Sequence, residues 1–221
     1  MLLSKLAFLA VKNVIYLNDT SFNYVGFCNE DFDNDIDYVT NINNVWSPIN
    51  EAISRLQDLD KIPYLVEEVE PSVDRIIDLS TLSKQPRRII GVAVVDANGN
   101  YEKLAFSMFG RKQIRLKSSY PTFNVKFYVE YNENIPTFSK DNISKVTSEE
   151  DENIDLFEEY GIDEAMSNYI MEYAQGKLLE PLAPELANMH ITRAEAYFNN
   201  LPVAKKNFPQ QRVERLYGMD F

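Results

Sequence analysis

The sequence predicts an α+β fold: helical elements flanking a small antiparallel β sandwich or barrel, with a C-terminal helical pair and an extended tail. Three observations carry this. The hydrophobic period is helical at the start, changes to two from about Arg75, and turns helical again after residue 162. Apolar residues make up 45% and charged residues 25% of 221 positions, an ordinary globular composition. Turn residues punctuate the middle third, most clearly in DANGN at 96–100.

The chain opens with MLLSKLAFLAVKNVIYL. Lys5 and Lys12 confine the apolar run to Leu6–Val11, far short of the ~20 residues of a membrane span, and no small-x-small cleavage site follows. Leu3, Leu6, Ala7, Ala10, Val14 and Leu17 fall at helical spacing, giving an amphipathic helix that serves either as an arm on a neighbouring subunit or as one more core helix. Residues 18–44 are rich in Asn and Asp. In EDFDNDIDY, Asp31, Asp33, Asp35 and Asp37 alternate as at the start of a calcium loop. The pattern then fails: counted from Asp31, the sixth position is Ile36 instead of Gly and the twelfth is Ile42 instead of Glu, which leaves a solvated acidic loop. Ser47 as cap, Pro48 in the first turn, and the stripe Ile49, Ala52, Ile53, Leu56 predict a helix that ends before Pro63.

Strands are predicted at RIIDLS, RRIIGVAVV, YEKLAF, Phe109–Leu116 and FNVKFYVEY, the last with Phe123, Val125, Phe127, Val129 and Tyr131 on one face. In the last third, Met166, Tyr169, Ile170 and Tyr173 mark a helix with Gly176 near its end. Pro181 and Pro184 form an elbow, and a second helix starts at Pro184 with the stripe Leu186, Met189, Tyr197. His190 lies one position off that stripe, as a surface or partly buried helix residue.

Composition narrows the function. Thirty-four Asp and Glu against 22 Lys and Arg give a net charge of −12, which opposes a primary grip on nucleic-acid phosphates. The single cysteine, Cys28, excludes an internal disulfide and a Cys-rich zinc site, and fits a reducing compartment. One histidine excludes zinc sites built on paired histidines, and no phosphate-binding glycine loop is present. The sequence nominates no catalytic, cofactor-binding or metal-ligating residue. Thirteen Tyr and 13 Phe suggest contact surface.

The charge is segregated. Residues 84–117 carry Lys84, Arg87, Arg88, Lys103, Arg111, Lys112, Arg115 and Lys117 against Asp96 and Glu102, whereas 141–164 hold ten acids and only Lys145. Pairing between subunits is expected of Arg87, Arg88, Arg111 and Lys112 with Glu149, Glu150, Asp151 and Glu152. The plainer alternative is a solvated sheet face blunted by cations. The terminal stretch interleaves Lys205, Lys206, Arg212 and Arg215 with Phe208, Leu216, Tyr217 and Phe221, which suits docking on a partner better than a frayed end.

The run PRRIIGVAVVDANGNYEKL, then FNVKFYVEYNENIP, an acidic connection, and YIMEYAQGKLLEPLAPELANMHITRAEAYF resembles head-to-tail connector (adaptor or ring) proteins of tailed bacteriophages, in particular short-tailed and crAss-like phages. The resemblance covers roughly residues 45–200 and is one of layout. It implies an adaptor core at 45–201, with a β domain at about 73–136 and helices at about 162–200. Residues 1–44 would be an N-terminal arm or extension, and 202–221 a docking tail for the portal protein. It further implies a virion structural protein in the tail or neck region, made in the host cytoplasm. The chain would form a dodecameric ring with copies of itself, beside other tail and ring proteins and away from any membrane. Duplex DNA would pass through its lumen without specific binding, and a net negative lumen would let it slide.

The rival reading is an acidic DNA-mimic inhibitor of a DNA-binding protein, against which the basic stretch between the acidic blocks counts. A carboxylate-only enzyme ranks third, since neither acidic block carries a partner group. With no strongly apolar exposed stripe, the isolated chain is expected to be a monomer.

Overall fold

A computed structural model describes residues 1–14, 23–29, 43–95, 99, 101–117, 125–148 and 153–206. The chain is α+β and divides into two units. A helical unit combines Met1–Ile62 with Ile135–Val203, and the β unit holds Pro63–Asn134 together with Ala204–Phe221.

The helical unit contains α1 (Leu3–Val14), α2 (Tyr24–Asn29), α3 (Trp46–Asp58), α4 (Leu156–Tyr160), α5 (Glu164–Leu179) and α6 (Pro184–Asn200). Helix α1 is buried on nearly every side: Leu3, Leu6, Ala7, Ala10 and Val11 are fully covered, and among its described side chains only Lys5 and Lys12 are exposed. It therefore is a core helix and not a projecting arm. A bridge between Leu2 and Asp155 and the bond from Leu3 N–H to the Ile154 carbonyl (2.8 Å) tie its start to the far half of the chain. Helix α3 begins at Trp46, so Ser47 and Pro48 fall inside its first turn, and Val45 at the cap position gives no side-chain bond. Its stripe Ile49, Ala52, Ile53, Leu56 is buried as expected. The helix closes with Asp60 at φ 53° and Lys61 N–H bonded to the Leu56 carbonyl.

The acids of 155–164 serve the helices. Asp155 accepts from the N–H groups of Phe157 and Glu158 to cap α4, and Asp163 accepts from Met166 N–H to cap α5. Gly161, at φ 67°, ends α4 in the left-handed region. Gly176 lies inside α5, and its role is packing. A Cβ there would stand 2.6 Å from Ile191 Cδ1 and 3.2 Å from the Ala187 carbonyl oxygen, so α6 approaches closely. That approach selects the buried face of α6: Ala187, Ala194 and Phe198 point inward, while Met189 and Tyr197 are about 40% exposed. Of the expected stripe, Leu186 packs partly buried against the core whereas Met189 and Tyr197 face outward, and Ile191 is the side chain seated against Gly176.

The β unit has seven strands: β1 (Leu65–Val69), β2 (Ile76–Asp78), β3 (Pro86–Val95), β4 (Tyr101–Leu104), β5 (Phe106–Met108), β6 (Gln113–Leu116) and β7 (Lys126–Glu133). They form two antiparallel sheets, ordered β1-β7-β3-β4 and β2-β6-β5. Neither sheet closes into a barrel among the described residues. Both contribute to one apolar core, with Val69, Val92, Leu104 and Val129 from the larger and Ile77, Ile114 and Leu116 from the smaller. The stretch YEKLAF divides between the sheets as β4 and β5. Strand β1 lies ahead of the expected start at 73. Its register pairs Leu65, Glu67 and Val69 with Tyr131, Val129 and Phe127, which places a glutamate on the core-facing side. Tyr131 Oη donates to Glu67, as do Ser83 N–H (2.9 Å) and Ser83 Oγ (2.7 Å). Burial raises the Glu67 pKa, but these bonds outweigh it and hold the carboxyl below its ordinary value. Burial and the neighbouring Glu67 push the Tyr131 phenol up to about 12.

Candidate functional site: a cationic cleft on the β unit

Three local devices bring distant cations together. The first is a bulge in β3. Its register against β7 shifts between Pro86, opposite Glu133, and Arg88, opposite Asn132. Consecutive side chains on a regular strand point to opposite faces, whereas a bulge re-aims them. Here Arg87 and Arg88 line the same cleft, joined by Lys84 from the approach to the strand. The second device is the β5–β6 hairpin. Gly110, at φ 75°, turns the chain, Phe109 N–H bonds the Gln113 carbonyl (2.8 Å), and Arg111 and Lys112 sit in the loop. The third is a 3-10 turn at Leu79–Thr81. Asp78 caps it by accepting from Ser80 N–H (2.9 Å) and Ser80 Oγ (2.7 Å). Leu79 N–H then bonds the Lys112 carbonyl (2.8 Å), fixing the hairpin against the turn. The Ser80 bonds, aided by nearby Lys112, hold the Asp78 carboxyl below its ordinary value.

The cleft so formed has a volume of about 610 Å³. Its walls carry Lys84, Arg87, Arg88, Arg111 and Lys112, and no carboxylate lines it among the described residues. Leu79 and Leu82 are buried and Ile89 and Phe106 half-buried, whereas Arg87, Arg88, Arg111 and Lys112 are exposed. The arrangement is an apolar floor under a cationic rim. It suits a ligand that is both anionic and apolar, because Arg and Lys give charge-assisted hydrogen bonds to a carboxylate or phosphate above an apolar floor.

The structure therefore gathers the four cations expected to pair between subunits, and adds Lys84 and the floor. Their expected partners Glu149, Glu150, Asp151 and Glu152 lie outside the described residues, as does the alternating Asp segment. Of the expected docking tail, Lys205 and Lys206 are exposed after α6, while Phe208, Arg212, Arg215, Tyr217 and Phe221 lie outside the described residues. Adjacent cations were visible in the sequence, but their convergence depends on a bulge that no residue type announces.

Several charged groups in the helical unit are engaged locally. Glu195 accepts two hydrogen bonds from the Arg55 guanidinium, one of them at 2.9 Å from Nη2, and Arg55 stacks 4.2 Å from the Phe198 ring centroid. The Arg55 bond lowers the Glu195 carboxyl below its ordinary value. Lys61 Nζ donates to the Leu201 carbonyl and also lies over Phe198. His190 Nδ1 stands 2.7 Å from Glu172 Oε2 across the α5–α6 crossing. Among the described residues no group of His, Cys, Asp and Glu is placed to hold a metal ion, and no helix is long and apolar enough to cross a membrane. Comparison with known proteins adds no relationship: no family model and no curated protein matches the chain.

Proposed function

We propose that this chain is a structural subunit of a tailed-phage particle, forming a ring below the portal that joins head to tail and extends the DNA ejection channel. The observation that carries the reading is the layout: helices, an antiparallel β unit with a five-cation cleft, an acidic connection, and a closing helical hairpin, in a chain of net charge −12. A ring is a set of identical heterologous contacts that closes on itself, so each subunit needs two unlike complementary surfaces. A cationic cleft on an otherwise acidic chain supplies one such surface. The remaining negative excess favours a lumen past which duplex DNA moves without adhering. The partners on this reading are the portal, neighbouring tail proteins and further copies of the chain.

Electron cryo-microscopy of purified particles tests the proposal. The chain should trace as a ring beneath the portal, and its absence from the particles overturns the reading. Truncation after Leu201 should weaken portal association, and unchanged binding removes the docking role of the tail.

A further inference from the structure

Across the smaller sheet of the β unit, five apolar side chains share one face. Ile77 and Met108 both stand opposite Ile114, and Phe106 stands opposite Leu116. Directly opposed residues of antiparallel strands project to the same side. That side is turned to the core, since Ile77, Ile114 and Leu116 are buried in the apolar cluster of the unit. The cover fails along β5. Phe106 is only half-buried and Met108 is 56% exposed, although both project to the same side as their buried neighbours. Strand β5 is an edge among the described strands, so the layer that seals β2 and β6 ends above it. From β3 of the other sheet, half-buried Ile89 lines the same cleft. Three incompletely covered apolar side chains thus face one space of about 610 Å³, within the range of small-ligand sites.

The cations around this space are not equivalent. Lys84, Arg87 and Arg88 each have a partner in the structure, so they shape the wall and are not counted toward a ligand. Lys112 is partly committed as well, because its charge acts on Asp78. Arg111 differs: exposed on the β5–β6 loop, its side chain has no hydrogen bond, ion pair or ring contact among the described residues. The loop that carries it is fixed, through Phe109 N–H to the Gln113 carbonyl and Leu79 N–H to the Lys112 carbonyl. A guanidinium presents two parallel donors that match one carboxylate. One uncommitted guanidinium beside an apolar surface selects a ligand with a single anionic head and an apolar body. A polyanion would meet one free cation and leave the apolar surface unused.

We infer that the open side of the β unit is a binding site for a small monocarboxylate with an apolar body, its carboxylate held by Arg111 and its body lying on Ile89, Phe106 and Met108. The inference does not depend on the ring reading, because it needs only the fold of the β unit.

The test is octanoate binding to the full chain. Its place is read from the Met108 methyl resonance in methionine-methyl-labelled protein, assigned with Met108→Leu, and affinities are read by ligand-observed NMR. Octanoate should shift the Met108 resonance saturably and leave that of Met166, buried in the helical unit, in place. Octanol, with the same chain and no charge, should bind roughly tenfold more weakly, the worth of one charge-assisted contact. Arg111→Ala should weaken octanoate by a similar factor and leave octanol unchanged, whereas Arg111→Lys should recover part of the loss. Met108→Glu should weaken both ligands. Circular dichroism checks that these variants keep the fold, with Met108→Gln as replacement if the glutamate disturbs it. An unmoved Met108 resonance, octanol binding as tightly as octanoate, or octanoate binding indifferent to Arg111→Ala overturns the assignment. Displacement of octanoate by an equal concentration of inorganic phosphate overturns it in favour of a plain anion site. Octanoate binding that weakens as chain concentration rises overturns it in favour of a second copy as occupant.

Discussion

The helical and β units distribute charge differently, although both also use it locally, as Lys126 with Glu68 and Asp78 at its turn do in the β unit. In the helical unit, charged side chains serve the structure: Asp155 and Asp163 cap helices, Arg55 grips Glu195 over Phe198, and His190 meets Glu172. In the β unit, Glu67 is half-buried beside Tyr131, Glu130 and Glu133 of β7 are buried, and cations collect around a cleft. The difference teaches where to look for function. Charges that cap helices or pair within an element are explained by its stability, whereas five cations lining one cleft mark a surface to test for a partner.

Four measurements would break or sharpen that contrast, and the sole tryptophan, Trp46 in α3, reports on the helical unit. The largest effect is expected at α1. Leu6→Ala should cost about 3 kcal/mol in denaturant unfolding followed by Trp46 fluorescence, since Leu6 is fully buried and its removal leaves a cavity. A near-silent substitution would return α1 to the status of a dispensable arm. Next is the α5–α6 crossing. Gly176→Val should lower stability by about 2 kcal/mol, through overpacking against Ile191 and the Ala187 carbonyl.

A smaller, pH-dependent effect belongs to the β unit. The Glu67 pKa is lower in the folded chain than its ordinary value, so its stabilising contribution is present above the ordinary carboxylate range and is lost as pH falls through the lowered folded value. Tyr131→Phe should cost about 1 kcal/mol at neutral pH and flatten that acid-side loss, as read by hydrogen exchange in β1 and β7. Smallest of all, Arg111→Ala should change the melting free energy by less than about 0.5 kcal/mol, because it is an exposed loop residue. A large loss there would make the cleft a structural feature and erase the contrast between the units.

Much of the fold was legible because it follows simple periods. The stripe of α3, the start of α6 at Pro184 and the core face of Val125, Phe127, Val129 and Tyr131 stand in the sequence and in the structure, although Glu130 and Asn132 at alternate positions are buried as well. Strand β1 was not legible, since Glu67 breaks its apolar face and becomes acceptable only beside Tyr131 and Ser83. The face of α6 was misjudged in part: Met189 and Tyr197 face outward, whereas Ala187, Ala194 and Phe198 turn inward and Ile191 is accommodated by the missing side chain of Gly176. At the cleft, the cations were visible as a charge run. The bulge between Pro86 and Arg88, which turns neighbours onto one surface, is a property of pairing with β7 and has no local signature.

The division of the helical unit around the β unit also bears on synthesis. Helix α1 leaves the ribosome with most of its surface apolar, yet α5, against which it packs, emerges only after the whole β unit has been made. In that interval the β unit can complete both of its sheets, because all seven strands lie in one uninterrupted stretch. Strand β1 then pairs with β7 and draws Ile62 and Ile135 toward each other, shortening the loop that the late helices must close. Were the inserted unit to fold first, it would act as a clasp, lowering the entropic cost of reuniting the two halves of its host while α1 waits exposed.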